Sequence, residues 1–154
     1  MFCFKKKYNA NITSDYPITL LEKENVALGK QISDTVKYYE FVKKKINKTL
    51  TELKKNNYKI YFYGASATTT VFFHLNNLFD LVDCIIDDNV KRQDKLMPGT
   101  IVKVKSKKVI KKSSKKVVVI GAWRFADIIM KNNSDVFNNC KVIIPLPKYE
   151  EINL

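Results

Sequence analysis

Glycine is scarce here, four residues in 154, and no two of them lie within twenty positions of each other. A collagen-like or glycine-rich chain is excluded, and so is the three-glycine dinucleotide fingerprint, which needs all three within six positions. Histidine occurs once, as His74, so a multi-histidine metal centre is excluded and no serine or cysteine has a recognisable base partner. The three cysteines, Cys3, Cys84 and Cys140, are odd in number and lack metal-type spacing, as expected of a reducing compartment. Cys84 lies within an apolar run and Cys140 just ahead of another, so both read as small core hydrophobes. No apolar run approaches the roughly 20 residues a membrane helix requires, and Met1–Phe4 runs straight into Lys5–Lys7 without a signal-peptide core. These features predict a cytoplasmic protein with no membrane partner and no metal.

Positive charge is abundant, at a formal net charge of +13. It invites a nucleic-acid reading, because neutralising phosphates drives non-specific binding. Only Arg92 and Arg124 are arginine, however, and arginine supplies the planar fork that reads phosphates and bases. Lysine accompanied by abundant asparagine and isoleucine is also what AT-rich codon usage produces. Specific nucleic-acid binding is therefore not expected.

The most informative stretch is Lys59–Val71. A strand-like apolar and aromatic run breaks at Gly64, passes through Ala65, Ser66, Ala67 and Thr68–Thr70, and enters Phe72, Phe73, Leu75 and Leu78 at helical spacing. This is a strand, a tight turn and a helix start. Such a helix end presents unpaired N–H groups and hydroxyls that suit a phosphate, or the hydroxyls simply cap the helix. Asp87, at the end of a second apolar run, follows Gly64 by 23 positions. Dinucleotide-binding folds place a ribose-binding acid about 20 positions after the turn, although Asp87-Asp88-Asn89 also reads as an ordinary strand end.

The remaining pattern is an alternation. Residues 1–24 read as an irregular tail, with Pro17 preventing helix near it. Ile32, Val36, Tyr39, Val42, Ile46, Leu50 and Leu53 form one stripe of a long helix over about 25–56, which either packs on the core or forms a dimer seam. Strands are expected near 59–63, 82–86, 101–104, 117–121 and 141–144, the fourth ending in a second glycine turn, Gly121-Ala122-Trp123-Arg124. Residues 105–116 are a lysine-rich solvated face, and a proline-punctuated tail follows the last strand. The expectation is an α/β fold: a Rossmann-like three-layer sandwich with a mostly parallel sheet of about five strands, spanning 25–154 as a single domain and preceded by the long helix.

Five ordered blocks carry a family resemblance. They are Tyr63-Gly64-Ala65-Ser66-Ala67; Ile86-Asp87-Asp88-Asn89 with Lys91, Gln93 and Lys95; Pro98-Gly99-Thr100; Ala122-Trp123-Arg124-Phe125-Ala126-Asp127; and Ile144-Pro145-Leu146-Pro147. In this order and spacing the chain resembles, over roughly residues 20–150, the C-terminal domain of sugar C-methyltransferases, which transfer a methyl group from S-adenosylmethionine to a nucleotide-linked keto-sugar. The resemblance implies a Rossmann-like domain that helps hold the nucleotide-sugar, with Gly64, Ala65, Ser66, Ala67, Thr68, Asp87, Asn89, Lys95, Gly99, Trp123 and Arg124 as candidate ligand contacts. Thr68-Thr69-Thr70 stands where the family usually has Lys-Gly-Asn. The family's zinc-binding cysteine cluster and its central methyltransferase domain are not in this sequence, so no cofactor is expected on the chain itself, and S-adenosylmethionine would enter through a separate methyltransferase chain. The alternatives are a nucleotide-sugar-modifying enzyme in its own right, or a basic domain that binds nucleic acid or protein.

Overall fold

The computed structural model describes residues 18–110 and 115–154, with side chains from Asn25 onward. The chain divides into two compact units, residues 1–39 and 40–154. Helix α1 spans Ile18–Lys55. Residues 18–24, expected as part of an irregular tail, are therefore helical, while the rest of that tail lies outside the described residues.

In the first unit the apolar stripe of α1 is exposed, with Ile32 at 56% and Val36 at 57%. In the second unit the same stripe is the core. Val42, Ile46 and Leu50 are fully buried. The core-packing expectation holds for the C-terminal turns of the helix and not for Ile32 or Val36.

Asparagine does the work that glycine usually does at helix ends. At the end of α1, Asn57 takes φ +62°, its N–H donates to Lys54 O at 3.0 Å, and Tyr58 N–H donates to Leu53 O at 3.0 Å. This pairing satisfies carbonyls that the helix leaves open, and asparagine tolerates the left-handed conformation better than most residues. Helix α2, Ala67–Leu75, ends the same way at Asn77, with Leu78 N–H donating to Phe73 O at 3.3 Å.

The sheet has six strands: β1 Lys59–Tyr63, β2 Cys84–Ile86, β3 Val104–Lys105, β4 Lys116–Ile120, β5 Lys141–Ile144 and β6 Glu150–Asn153. Their order is β3-β2-β1-β4-β5-β6, with β1 to β5 parallel and β6 antiparallel to β5. This is the order of the dinucleotide-binding folds, and it reverses between β1 and β4. Two expectations are corrected. The strand expected at 101–104 is only Val104–Lys105, and the proline-punctuated tail contains a sixth strand. β6 reads Glu-Glu-Ile-Asn because it is an edge strand with little to bury.

Alternation along β1 assigns the two faces. Phe62 meets Phe73 edge-on, ring centroids 5.5 Å apart, so α2 covers that side. Tyr61 and Tyr63 join Val118, Ile120, Val142 and Phe137 on the other, where α3 (Ala126–Asn132) and α4 (Ser134–Phe137) close the core. Burial on both faces accounts for the unbroken run Val117–Ile120, each residue fully buried.

Candidate functional site

The register pairs Tyr63 with Ile120, so the turns that follow β1 and β4 stand side by side at the carboxyl edge, where the strand order switches. Tyr63 O accepts hydrogen bonds from both Gly121 N–H (2.9 Å) and Ala122 N–H (3.2 Å), which locks the two turns together. Gly64 has φ +97°, and a Cβ built on it would lie 2.6 Å from Ala122 Cβ. A Cβ on Gly121 would lie 2.5 Å from Thr69 Cγ2. Both glycines are required by conformation or packing within the fold itself.

The first turn of α2 satisfies much of its own hydrogen bonding. Ser66 is the N-cap: its Oγ accepts from Thr69 N–H at 3.2 Å and shares hydrogen bonds with the Thr68 and Thr69 hydroxyls, each at 2.9 Å. Ser66 O accepts from the N–H and the hydroxyl of Thr70. The first N–H groups of α2, at Ala67 and Thr68, have no partner within the helix, as at any helix start.

Asp87 lies behind this turn and is only 6% exposed. Its Oδ2 accepts from Ala65 N–H at 2.7 Å and from Arg92 Nη1 at 3.1 Å, and its Oδ1 accepts from Asn89 N–H at 2.8 Å. The carboxylate thus ties the ends of β1 and β2 together, in a position where the sequence pattern suggested a ribose contact. Its neighbour Asp88 is exposed and accepts from the Tyr63 hydroxyl at 2.6 Å. Burial, reinforced by that carboxylate, pushes the Tyr63 hydroxyl above its ordinary pKa.

Ser66, Ala67, Thr68, Trp123 and Arg124 come together with Ala122 and Phe125 around a crevice of about 250 Å³ between α2 and the 3-10 turn Trp123–Phe125. Gly64 and Ala65 precede these residues in the turn after β1, where Gly64 lies against Ala122 and Ala65 N–H donates to Asp87, and they are not among the lining residues. Asn89 accepts from Lys91 N–H in the loop after β2, and Lys95 is exposed further along that loop. Gly99 packs against His74 and lines a second, more open hollow of about 620 Å³ with Phe79, Asp80 and Leu96–Ile101. His74 lies eight residues along α2 from Ser66, about 12 Å at helical rise, so Gly99 belongs to the far end of that helix.

Sequence reasoning passed over Ala122 and Phe125 as lining residues. Phe125 carried a readable signal, an aromatic side chain just beyond a glycine turn, and it is 59% exposed.

Reactive groups are held elsewhere. His74 Nε2 is 2.9 Å from Pro98 O. Burial pushes the Cys84 and Cys140 thiols up to about 11, which leaves them protonated at neutral pH. Among the described residues no group of three or more His, Cys, Asp or Glu side chains is placed to hold a metal ion, and no described helix is long and apolar enough to cross a membrane.

A mostly parallel sheet with this strand order and a crevice at its switch point defines an α/β protein of the Rossmann type. The chain belongs to the C-methyltransferase C-terminal domain family, whose sequence model matches residues 6–147. No curated protein matches it.

Proposed function

We propose that this chain is a nucleotide-sugar (or nucleotide) binding module that acts with a methyltransferase domain carried by another chain, in sugar or polysaccharide biosynthesis. The observation that carries the reading is the crevice at the switch point, where two glycine turns meet and the start of α2 faces Trp123, Arg124 and Phe125. Ligands of open α/β sheets occupy this crevice because the helix N-termini there favour anions.

The division of labour follows from the chemistry of the side chains. The crevice offers open N–H groups, a cation and aromatic faces, which bind. Its hydroxyls, on Ser66 and Thr68, have no base beside them among the lining residues, so in this reading the methyl donor and the proton transfer belong to the partner domain.

Affinity should be modest. An exposed helix N-terminus contributes about 0.3–1 kcal/mol, and millimolar binding already requires about 4.1 kcal/mol, so several contacts must act together. Isothermal titration with UDP-glucose, dTDP-glucose and inorganic phosphate tests the reading. Saturable binding that Arg124→Ala weakens is the expected result. Absence of binding by all three at 5–10-fold above about 1 mM would sink it.

A further inference from the structure

Resting on the nucleotide-binding reading above, we propose that the crevice between the first turn of α2 and the 3-10 turn Trp123–Phe125 is a slot for the planar base of the nucleotide, with Phe125 as its stacking face. The two sides of the crevice differ in kind. The α2 side carries the small residues Ala67 and Thr68, whereas the turn side presents the aromatic surface of Trp123 and Phe125, so the lining is largely apolar. Trp123 is held against α2, its ring 5.9 Å from that of Phe72 in a T-shaped arrangement. Phe125 is instead left 59% exposed, an apolar surface that the fold's own packing does not use.

Size and polarity select the base over the sugar. About 250 Å³ holds one ring system, below the roughly 300–1,000 Å³ of sites that enclose whole drug-sized ligands. A sugar ring needs several hydrogen-bonding partners, whereas the Ala67, Ala122 and Phe125 side chains have none to give and Ser66 Oγ is already engaged by Thr69 N–H and by the Thr68 and Thr69 hydroxyls. A base has a π-face that an aromatic side chain binds without regard to sequence. Arg124, exposed beside the slot, is placed for the phosphate that follows the base.

Trp123 is the only tryptophan in the chain, so its fluorescence reports on this crevice alone. Titrating uridine, UMP and AMP should quench it, and ribose 5-phosphate should not. Phe125→Ala should weaken nucleoside and nucleotide binding about tenfold with an unchanged melting temperature, Phe125→Tyr should restore it, and calorimetric affinity for ribose 5-phosphate should stay the same. Nucleotides that bind by calorimetry without quenching, and equally well to Phe125→Ala, would overturn the slot while leaving the nucleotide-binding reading intact. Quenching by uridine with no binding of phosphate or ribose 5-phosphate would uphold the slot and remove the phosphate part of that reading. No binding of any nucleoside or nucleotide would overturn both.

Discussion

Gly64 and Ala122 touch across the switch point of the sheet: a Cβ at residue 64 would stand 2.6 Å from Ala122 Cβ, at a backbone φ of +97°. The contact joins the turn after β1 to the turn after β4 and so sets the width of the crevice between them. Its consequence is that any side chain at residue 64 moves both turns before it meets a ligand.

Gly64→Ala should therefore destabilise the fold as well as weaken ligand binding. The left-handed conformation costs about 1–2 kcal/mol for a residue with a Cβ, and overpacking against Ala122 adds about 1–3 kcal/mol. Gly29 is the control, since a Cβ there meets nothing within 4 Å and the residue lies inside α1. Gly29→Ala should raise helicity without loss of stability. Urea unfolding and circular dichroism of the two variants check the contrast.

Asp87→Ala leaves Ala65 N–H, Asn89 N–H and the Arg92 guanidinium without their shared acceptor. Removing a buried acceptor from such donors costs about 1–3 kcal/mol. Because the carboxylate holds the turn, calorimetry should show similar loss of affinity for inorganic phosphate and for nucleosides. A much larger loss for nucleosides would instead place Asp87 against a ribose hydroxyl.

Asp83 sets an acid limit to stability. Burial alone would raise its pKa, but the Ile60 N–H (2.9 Å), Lys54 Nζ (2.9 Å) and Lys59 Nζ (3.2 Å) outweigh that and hold the carboxyl below its ordinary value. A group depressed in the folded state stabilises above its unfolded pKa, about 3.9, and that contribution is lost as pH falls through the folded value. Asp83→Asn should lower the melting temperature at pH 7 and flatten its decline below pH 4. Thermal melts of both proteins between pH 2 and 7 measure the difference.

The stripe of α1 predicts two unlike responses to one substitution. Ile46→Ala empties a fully buried site and should cost about 2–5 kcal/mol, whereas Ile32→Ala, at 56% exposure, should change stability by about 0.5 kcal/mol or less. Equal losses in guanidinium unfolding would show that Ile32 is covered in solution.

What the amino-acid sequence determined by itself is what short-range patterning encodes. The runs at Lys59–Tyr63 and Lys141–Ile144 coincide with β1 and β5, because strands buried on both faces must be apolar or aromatic at every position past the lysine that opens each. The glycine turns after β1 and β4 were readable because each glycine follows directly on an apolar run, and at both a Cβ would collide. The tertiary structure decided the rest. Helical spacing shows which face of α1 is apolar, but only the packing shows that Ile46 is covered and Ile32 is not. Likewise Asp87 and Asp88 are adjacent carboxylates in the sequence, and their separation into a buried tie for Ala65 and an exposed partner for Tyr63 depends on where neighbouring strands end. Burial and hydrogen-bond partners come from contacts between distant segments, and no local pattern carries that information.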